Sequence, residues 1–183
     1  IERLQLDTKE YTATLQLGAT TPSYDMEHEV DAHYPTEHIT RELIDRVLSD
    51  FVGEIEQVPP EYSAVKIGGD RAYKLMRRGE GVQLAAKKVR IDRLELTHFD
   101  LDKMQISILV TCGKGTYIRS LARDIGRALG SGAYLMALCR TRVGNVRIED
   151  CITIDDFPQW LERQEIEHPT EKSIKKEPKT ENQ

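Results

Sequence analysis

The feature that most limits how this chain can fold is the junction Gly113-Lys114-Gly115. Before it, Met104 to Thr111 reads as a strand. After it, Ile118, Leu121, Ala122, Ile125 and Leu129 recur at helical spacing, and Gly130 supplies a stop. A strand that turns through two glycines into an amphipathic helix must lay that helix back on a sheet, so the rest of the chain has to provide the sheet.

It does so with further strands. Tyr11, Ala13, Leu15 and Leu17 alternate with Thr12, Thr14 and Gln16, the pattern of a half-buried strand over 9–17. Val89 to Phe99 reads as a strand joined to Met104–Thr111 in a hairpin, and residues 133–143 read as another, ending at Gly144. A helical stripe runs from Ile39 through 43, 44, 47 and 48 to Phe51, with Thr36 or Thr40 as cap and Gly53 as its end. Gly68-Gly69 is a turn, Asp70 is placed to cap a short basic helix over 71–78, and Gly79 closes it. Thr153 followed by Asp156 resembles a capping box for a last short helix through Trp160. Hairpin-length links between intermixed elements give an α+β class, with a mixed, mostly antiparallel sheet flanked by helices. Residues 162–183 form a charged tail of Glu, Lys, Pro and Thr with almost nothing to bury, so disorder is expected there.

No apolar run approaches the roughly 20 residues of a membrane span, and no basic-then-apolar segment opens the chain, so a cytoplasmic protein with no membrane partner is expected. Cys112, Cys139 and Cys151 are odd in number and lack C-x-x-C spacing, which argues for reduced thiols rather than a disulfide framework or a zinc site. The histidines at 28, 33, 38, 98 and 168 show no metal-ligand spacing and read as surface residues, so no metal is expected.

The net charge of -5 hides a partition. Residues 1–60 carry -9, whereas 111–147 carry +6, six arginines and Lys114 against Asp124 alone. Guanidinium groups at that density suit phosphate. The G-K-G turn is not a P-loop, although free amides at a helix N-terminus can receive one phosphate. From residue types alone the chain is an α+β domain with a basic second half.

Several segments together resemble the TruB-type tRNA pseudouridine synthases. Tyr62-Ser63-Ala64-Val65-Lys66 with Tyr73, Arg77 and Gly79 is similar to that family's P-x-Y-S-A-x-K…Y-x-x-x-R-x-G stretch. Cys112 to Asp124 is similar to C-x-K-G-T-Y-I-R-S-L-x-x-D, and Ala133-Tyr134-Leu135 through Gly144 to A-Y-L-x-x-L-x-R-T-x-x-G. Lys9-x-Tyr11, Leu17-Gly18 and Thr21…Asp25 follow K-x-Y…L-G-x-x-T-x-x-x-D. The likeness spans about 1–161 in the family's order.

The resemblance implies a pseudouridine synthase fold, and conversion of uridine 55 in the TΨC loop of tRNA to pseudouridine without a metal or organic cofactor. The base must leave its stack to be reached. By position, Tyr11 corresponds to the tyrosine that stacks on the target base. Arg119 corresponds to the arginine paired with the catalytic aspartate, Leu138 to an apolar residue against the base, and Asp25 to a further acid at the cleft. Lys66, Tyr73, Lys114, Arg140 and Arg142 are the expected RNA contacts, with the TΨC stem-loop as partner and a monomer as the working form.

Two departures matter. The family's catalytic aspartate belongs to a G-T-L-D-P-x-A-x-G motif, which is absent from these 183 residues. Together with Ile1, this gives the expectation that residues 1–161 are the C-terminal portion of a catalytic domain, inactive alone, with no appended PUA domain. Cys139-Arg140 also stands where a pair of arginine-like residues is expected, which removes one phosphate contact. A non-catalytic tRNA-binding or tRNA-folding module, and a structural protein with an incidental basic face, are the competing readings.

Overall fold

A computed structural model describes residues 8–79 and 81–163. Its first unit, through Glu149, is built on a six-stranded sheet. The strands are β1 (Lys9–Leu17), β4 (Gly53–Gln57), β7 (Lys87–Asp100), β8 (Gln105–Cys112), β9 (Ala133–Val143) and β10 (Val146–Arg147). They lie in the order β10-β9-β1-β8-β7-β4, and every pair is antiparallel, as expected of a mostly antiparallel sheet. Two short ribbons sit outside it: β2 (Ala19–Thr20) with β3 (Ala32–His33), and β5 (Lys66–Ile67) with β6 (Asp70–Arg71).

Two helices cover one face of the sheet. Helix α1 (Arg41–Asp50) is capped by Thr40, whose hydroxyl accepts from the Leu43 amide at 3.2 Å. Helix α3 (Ile118–Ala128) follows the G-K-G turn. Leu15, Ile91, Ile106, Ile108 and Val110 from the strands meet Ile44 and Leu48 of α1 and Leu121 and Ile125 of α3 in one core, each at most 2% exposed. Full burial of a side chain of this size is worth about 1.5–3 kcal/mol. His38 Nε2 lies 2.7 Å from the Leu129 carbonyl and donates to it, tying the start of α1 to the end of α3.

Gly126 explains how closely α3 lies on β9. A Cβ at this position would sit 2.4 Å from the Ala133 amide nitrogen and 2.6 Å from the Gly132 carbonyl carbon. Backbone therefore meets backbone, and the Ser131 amide donates to the Gly126 carbonyl at 2.9 Å. This contact sets the height of α3 over the sheet and, two turns earlier, the position of Arg119.

Three details differ from the sequence reading. Strand β4 was not expected. Its Glu54 and Glu56 stand opposite Arg90 and Lys88 of β7, so the segment becomes a strand through pairing with residues far away in sequence. Helix α2 is Ala72–Arg77, and Asp70 does not cap it; its carboxylate accepts from Arg78 Nη2 at 2.8 Å, a stronger partner than an exposed amide. The second unit is described here for 150–163 alone. Asp156 and Thr153 exchange the expected hydrogen bonds, but the helix that follows, α4, is Phe157–Glu162. The tail expected to be disordered lies, from 164 on, outside the described residues. Among the described residues no helix is long and apolar enough to cross a membrane, and all three cysteines are free thiols.

Candidate active site

Arg119 stands on the first turn of α3, with its side chain 22% exposed. Its neighbours fix the guanidinium from two sides. Nη1 meets Asp25 Oδ2 at 3.0 Å and donates to the Ser23 carbonyl at 3.2 Å, while Nη2 donates to the Tyr62 carbonyl at 2.8 Å. An arginine has five N–H groups. The Nε–H and one Nη2–H therefore have no bond to a described residue and are available to a second acceptor.

Asp25 is itself held on both oxygens. Ser23 Oγ donates to Oδ1 at 2.5 Å, the Glu27 amide donates to the same oxygen at 3.0 Å, and Arg119 takes Oδ2. The loop that carries it is locked by the Thr21 hydroxyl on the Asp25 carbonyl, and by the Leu135 amide on the Tyr24 carbonyl. Tyr24 adopts φ 57°, uncommon for a residue with a side chain, and the Arg123 guanidinium lies 5.4 Å from its ring centre.

A second strap crosses the start of α3. Gln57 accepts from the Tyr117 amide at 2.8 Å, and the Val58 carbonyl accepts from Ser120 Oγ and Arg123 Nη2 at 2.8 and 2.9 Å. With Tyr62 on Arg119, residues 57–62 run along the first two turns of the helix. Sequence reasoning passed over Gln57 and Ser23, and counted Arg123 only as part of the basic 111–147 cluster. The one local signal was Ser23 two residues before Asp25, the spacing of a hydroxyl–carboxylate turn.

Tyr11, Leu138 and Arg140 lie on adjacent strands. Tyr11 stands opposite both Val110 and Arg140, and Ala13 opposite Leu138, so the three side chains share the helix-bearing face. Leu138 is 46% exposed, an uncovered leucine beside a half-buried tyrosine. Burial pushes the Tyr11 phenol above its ordinary value, while the Arg140 guanidinium pulls it down through charge and a hydrogen bond.

The two arginines expected to grip phosphate together are separated. A bulge between Glu10/Tyr11 and Arg142/Arg140 adds Thr141 to β9, so Arg142 pairs with Glu10 and turns to the opposite face. There Arg142 Nη2 lies 3.8 Å from Glu10 Oε2, and Nη1 donates to the Gly144 carbonyl at 2.9 Å. Arg140 and Lys114 are exposed. Lys66 is exposed on the β5–β6 ribbon, and Tyr73 on α2 lies under Arg77, 5.6 Å from ring centre to guanidinium.

Comparison with known proteins decides the family. Residues 1–118 match the model of the TruB family pseudouridylate synthase N-terminal domain, and 119–175 that of the tRNA pseudouridylate synthase B C-terminal domain. The chain belongs to the TruB family. It is 61% identical over 167 residues to tRNA pseudouridine synthase B of Phocaeicola vulgatus, covering 91% of this chain and 70% of that protein. Against the same enzyme of Bacteroides thetaiotaomicron it is 60% identical over 170 residues, covering 92% and 71%. The chain thus spans about seven tenths of these two relatives.

Solved structures agree on the fold. A crystal structure of a Cbf5–Nop10–Gar1 complex contains a chain with TM-score 0.61 and 28% identity, covering 87% of this chain and 38% of that one. An H/ACA ribonucleoprotein bound to a substrate RNA containing 2'-deoxyuridine matches with TM-score 0.57 at 24% identity, a likeness of fold alone. The TruB assignment bears out the pseudouridine synthase fold and an isomerase acting on tRNA.

Proposed function

We propose that this chain isomerises uridine 55 in the TΨC loop of tRNA, with the nucleophilic aspartate carried by a G-T-L-D-P segment outside residues 1–183. The observation that carries the reading is Arg119: its guanidinium is immobilised by Asp25 and two carbonyls, yet keeps two N–H groups for another acceptor. A carboxylate placed there gains charge-assisted hydrogen bonds, which keep it ionised and aimed at the sugar or base.

The remaining residues take their parts from the sheet. Tyr11 offers an aromatic face for an extruded uracil, and Leu138 an exposed apolar edge beside it. The bond between uracil N1 and the sugar breaks, the base turns over, and C5 joins the sugar, the proton lost from C5 being balanced by one gained at N1. Lys114, Lys66, Tyr73 and Arg140 would hold the displaced backbone and loop. The proposal extends to a cytoplasmic monomer whose partner is the TΨC stem-loop and which uses no metal or organic cofactor.

Position is tested by mapping pseudouridine in a tRNA transcript treated with the protein joined to its G-T-L-D-P segment. A single modified position in the TΨC loop is expected. Modification elsewhere would overturn the assignment to uridine 55. Tight transcript binding with no modification would favour the tRNA-binding or tRNA-folding module.

A further inference from the structure

Arg119 is held from two loops that are not neighbours in sequence, and one side chain touches both. His28 Nδ1 lies 2.9 Å from Ser23 Oγ, and its ring centre lies 4.7 Å from that of Tyr62, tilted by 51°. Ser23 supplies one Arg119 acceptor through its carbonyl, and its hydroxyl holds Asp25; Tyr62 supplies another acceptor through its own carbonyl. His28 is partly buried rather than the free surface residue expected from the sequence.

Proton accounting gives this contact a direction. Ser23 is fully buried, and its single hydroxyl proton goes to the Asp25 carboxylate. A hydroxyl has one proton and two lone pairs. Ser23 Oγ can therefore only accept from His28, so Nδ1 carries the hydrogen. His28 Nδ1–H donates to Ser23 and Ser23 O–H donates to Asp25, whose other oxygen is ion-paired with the Arg119 guanidinium. Each donor polarises the next.

We infer that His28 is a positioning residue for Arg119. Its Nδ1–H fixes the Ser23 hydroxyl, and its ring fixes Tyr62 at the same distance from the helix. The inference rests on the reading of Arg119 given under Proposed function. It assigns His28 no contact with uridine.

The test separates the two jobs of the ring. Asparagine places an amide N–H near the Nδ1 position without a ring, and phenylalanine keeps a ring without a donor. In the 183-residue chain, side-chain nitrogen NMR should show neutral His28 protonated on Nδ1 and separate Nη1 and Nη2 signals for Arg119. His28→Ala should merge the Arg119 signals, and His28→Asn should restore part of the separation while His28→Phe restores less. In the protein joined to its G-T-L-D-P segment, His28→Ala should lower kcat at least about tenfold with KM little changed, since misplaced groups lose rate rather than binding. A neutral His28 protonated on Nε2, or unmerged Arg119 signals and unchanged kcat in His28→Ala, would overturn the inference. If Arg119→Ala also left kcat unchanged, the functional reading itself would fall. A normal kcat for His28→Ala beside a slow Arg119→Ala would remove only the role of His28.

Discussion

Asp25 Oδ2 and Arg119 Nη1 meet at 3.0 Å, with both side chains roughly three quarters buried at 24% and 22% exposure. The pair joins the loop after β2 to the first turn of α3. Replacing the carboxylate by an amide removes the ion pair with Arg119 and weakens the two hydrogen bonds from Ser23 and Glu27. Asp25→Asn should cost about 1.5–3 kcal/mol of stability, the range for hydrogen bonds to charged groups. It should also slow turnover. Chemical denaturation, beside single-turnover kinetics of the protein joined to its G-T-L-D-P segment, checks both; unchanged values in both would show that Arg119 is held without it.

The bulge at Thr141 makes Arg140 and Arg142 unequal. Arg140→Glu should weaken tRNA binding and flatten the slope of log K against log salt by about one for the lost phosphate contact. Arg142→Glu should leave that slope nearly unchanged and lower stability, because it places a second carboxylate beside Glu10. Equal salt slopes for the two variants would contradict the register of β9.

Alanine is a better helix former than glycine by about 1 kcal/mol. On an exposed helix, Gly126→Ala would therefore stabilise. Here the new Cβ would meet backbone at 2.4 Å, so a loss of about 3 kcal/mol is expected from overpacking. Leu121→Ala, at a fully buried position of the same helix, should cost about 2–5 kcal/mol through the cavity it leaves. Thermal unfolding of the two variants checks both.

Cys112 is 1% exposed, and burial pushes its thiol above the ordinary value, whereas Cys139 and Cys151 are exposed. At pH 8 an alkylating reagent should modify two thiols quickly in the native chain and the third only after unfolding, because the thiolate is the reactive form. Mass analysis of the peptides should place the slow site at Cys112. Since the folded value is raised, the neutral thiol favours the native state below the ordinary pKa. That contribution fades as pH rises toward the folded value.

The sheet and both packing helices were legible because their apolar periodicities are unbroken, as in Leu15, Leu17, Ile106, Ile108, Leu121 and Ile125. Strand β4 was not, because Gly53-Glu54-Ile55-Glu56 is short and owes its form to backbone pairing with β7, far away in sequence. At the site, Tyr11, Arg119, Leu138 and Asp25 were visible through motif likeness. Their supports, Ser23, His28 and the Tyr62 carbonyl, were hidden because backbone acceptors and loop contacts leave no pattern in residue order. Residue order alone did not show that Arg140 and Arg142 take opposite faces, because a single inserted residue in β9 reverses which face a side chain takes.

In the proposed function these residues hold and orient the uridine while a separate G-T-L-D-P segment supplies the nucleophile. Tritium release from a tRNA transcript labelled at uridine C5 tests it directly. The account predicts no release by the 183-residue chain alone, release when the chain is joined to that segment, and its near loss on Arg119→Ala with tRNA binding retained. Robust release by the 183-residue chain would contradict it, because a carboxylate within residues 1–183 would then be acting as the nucleophile.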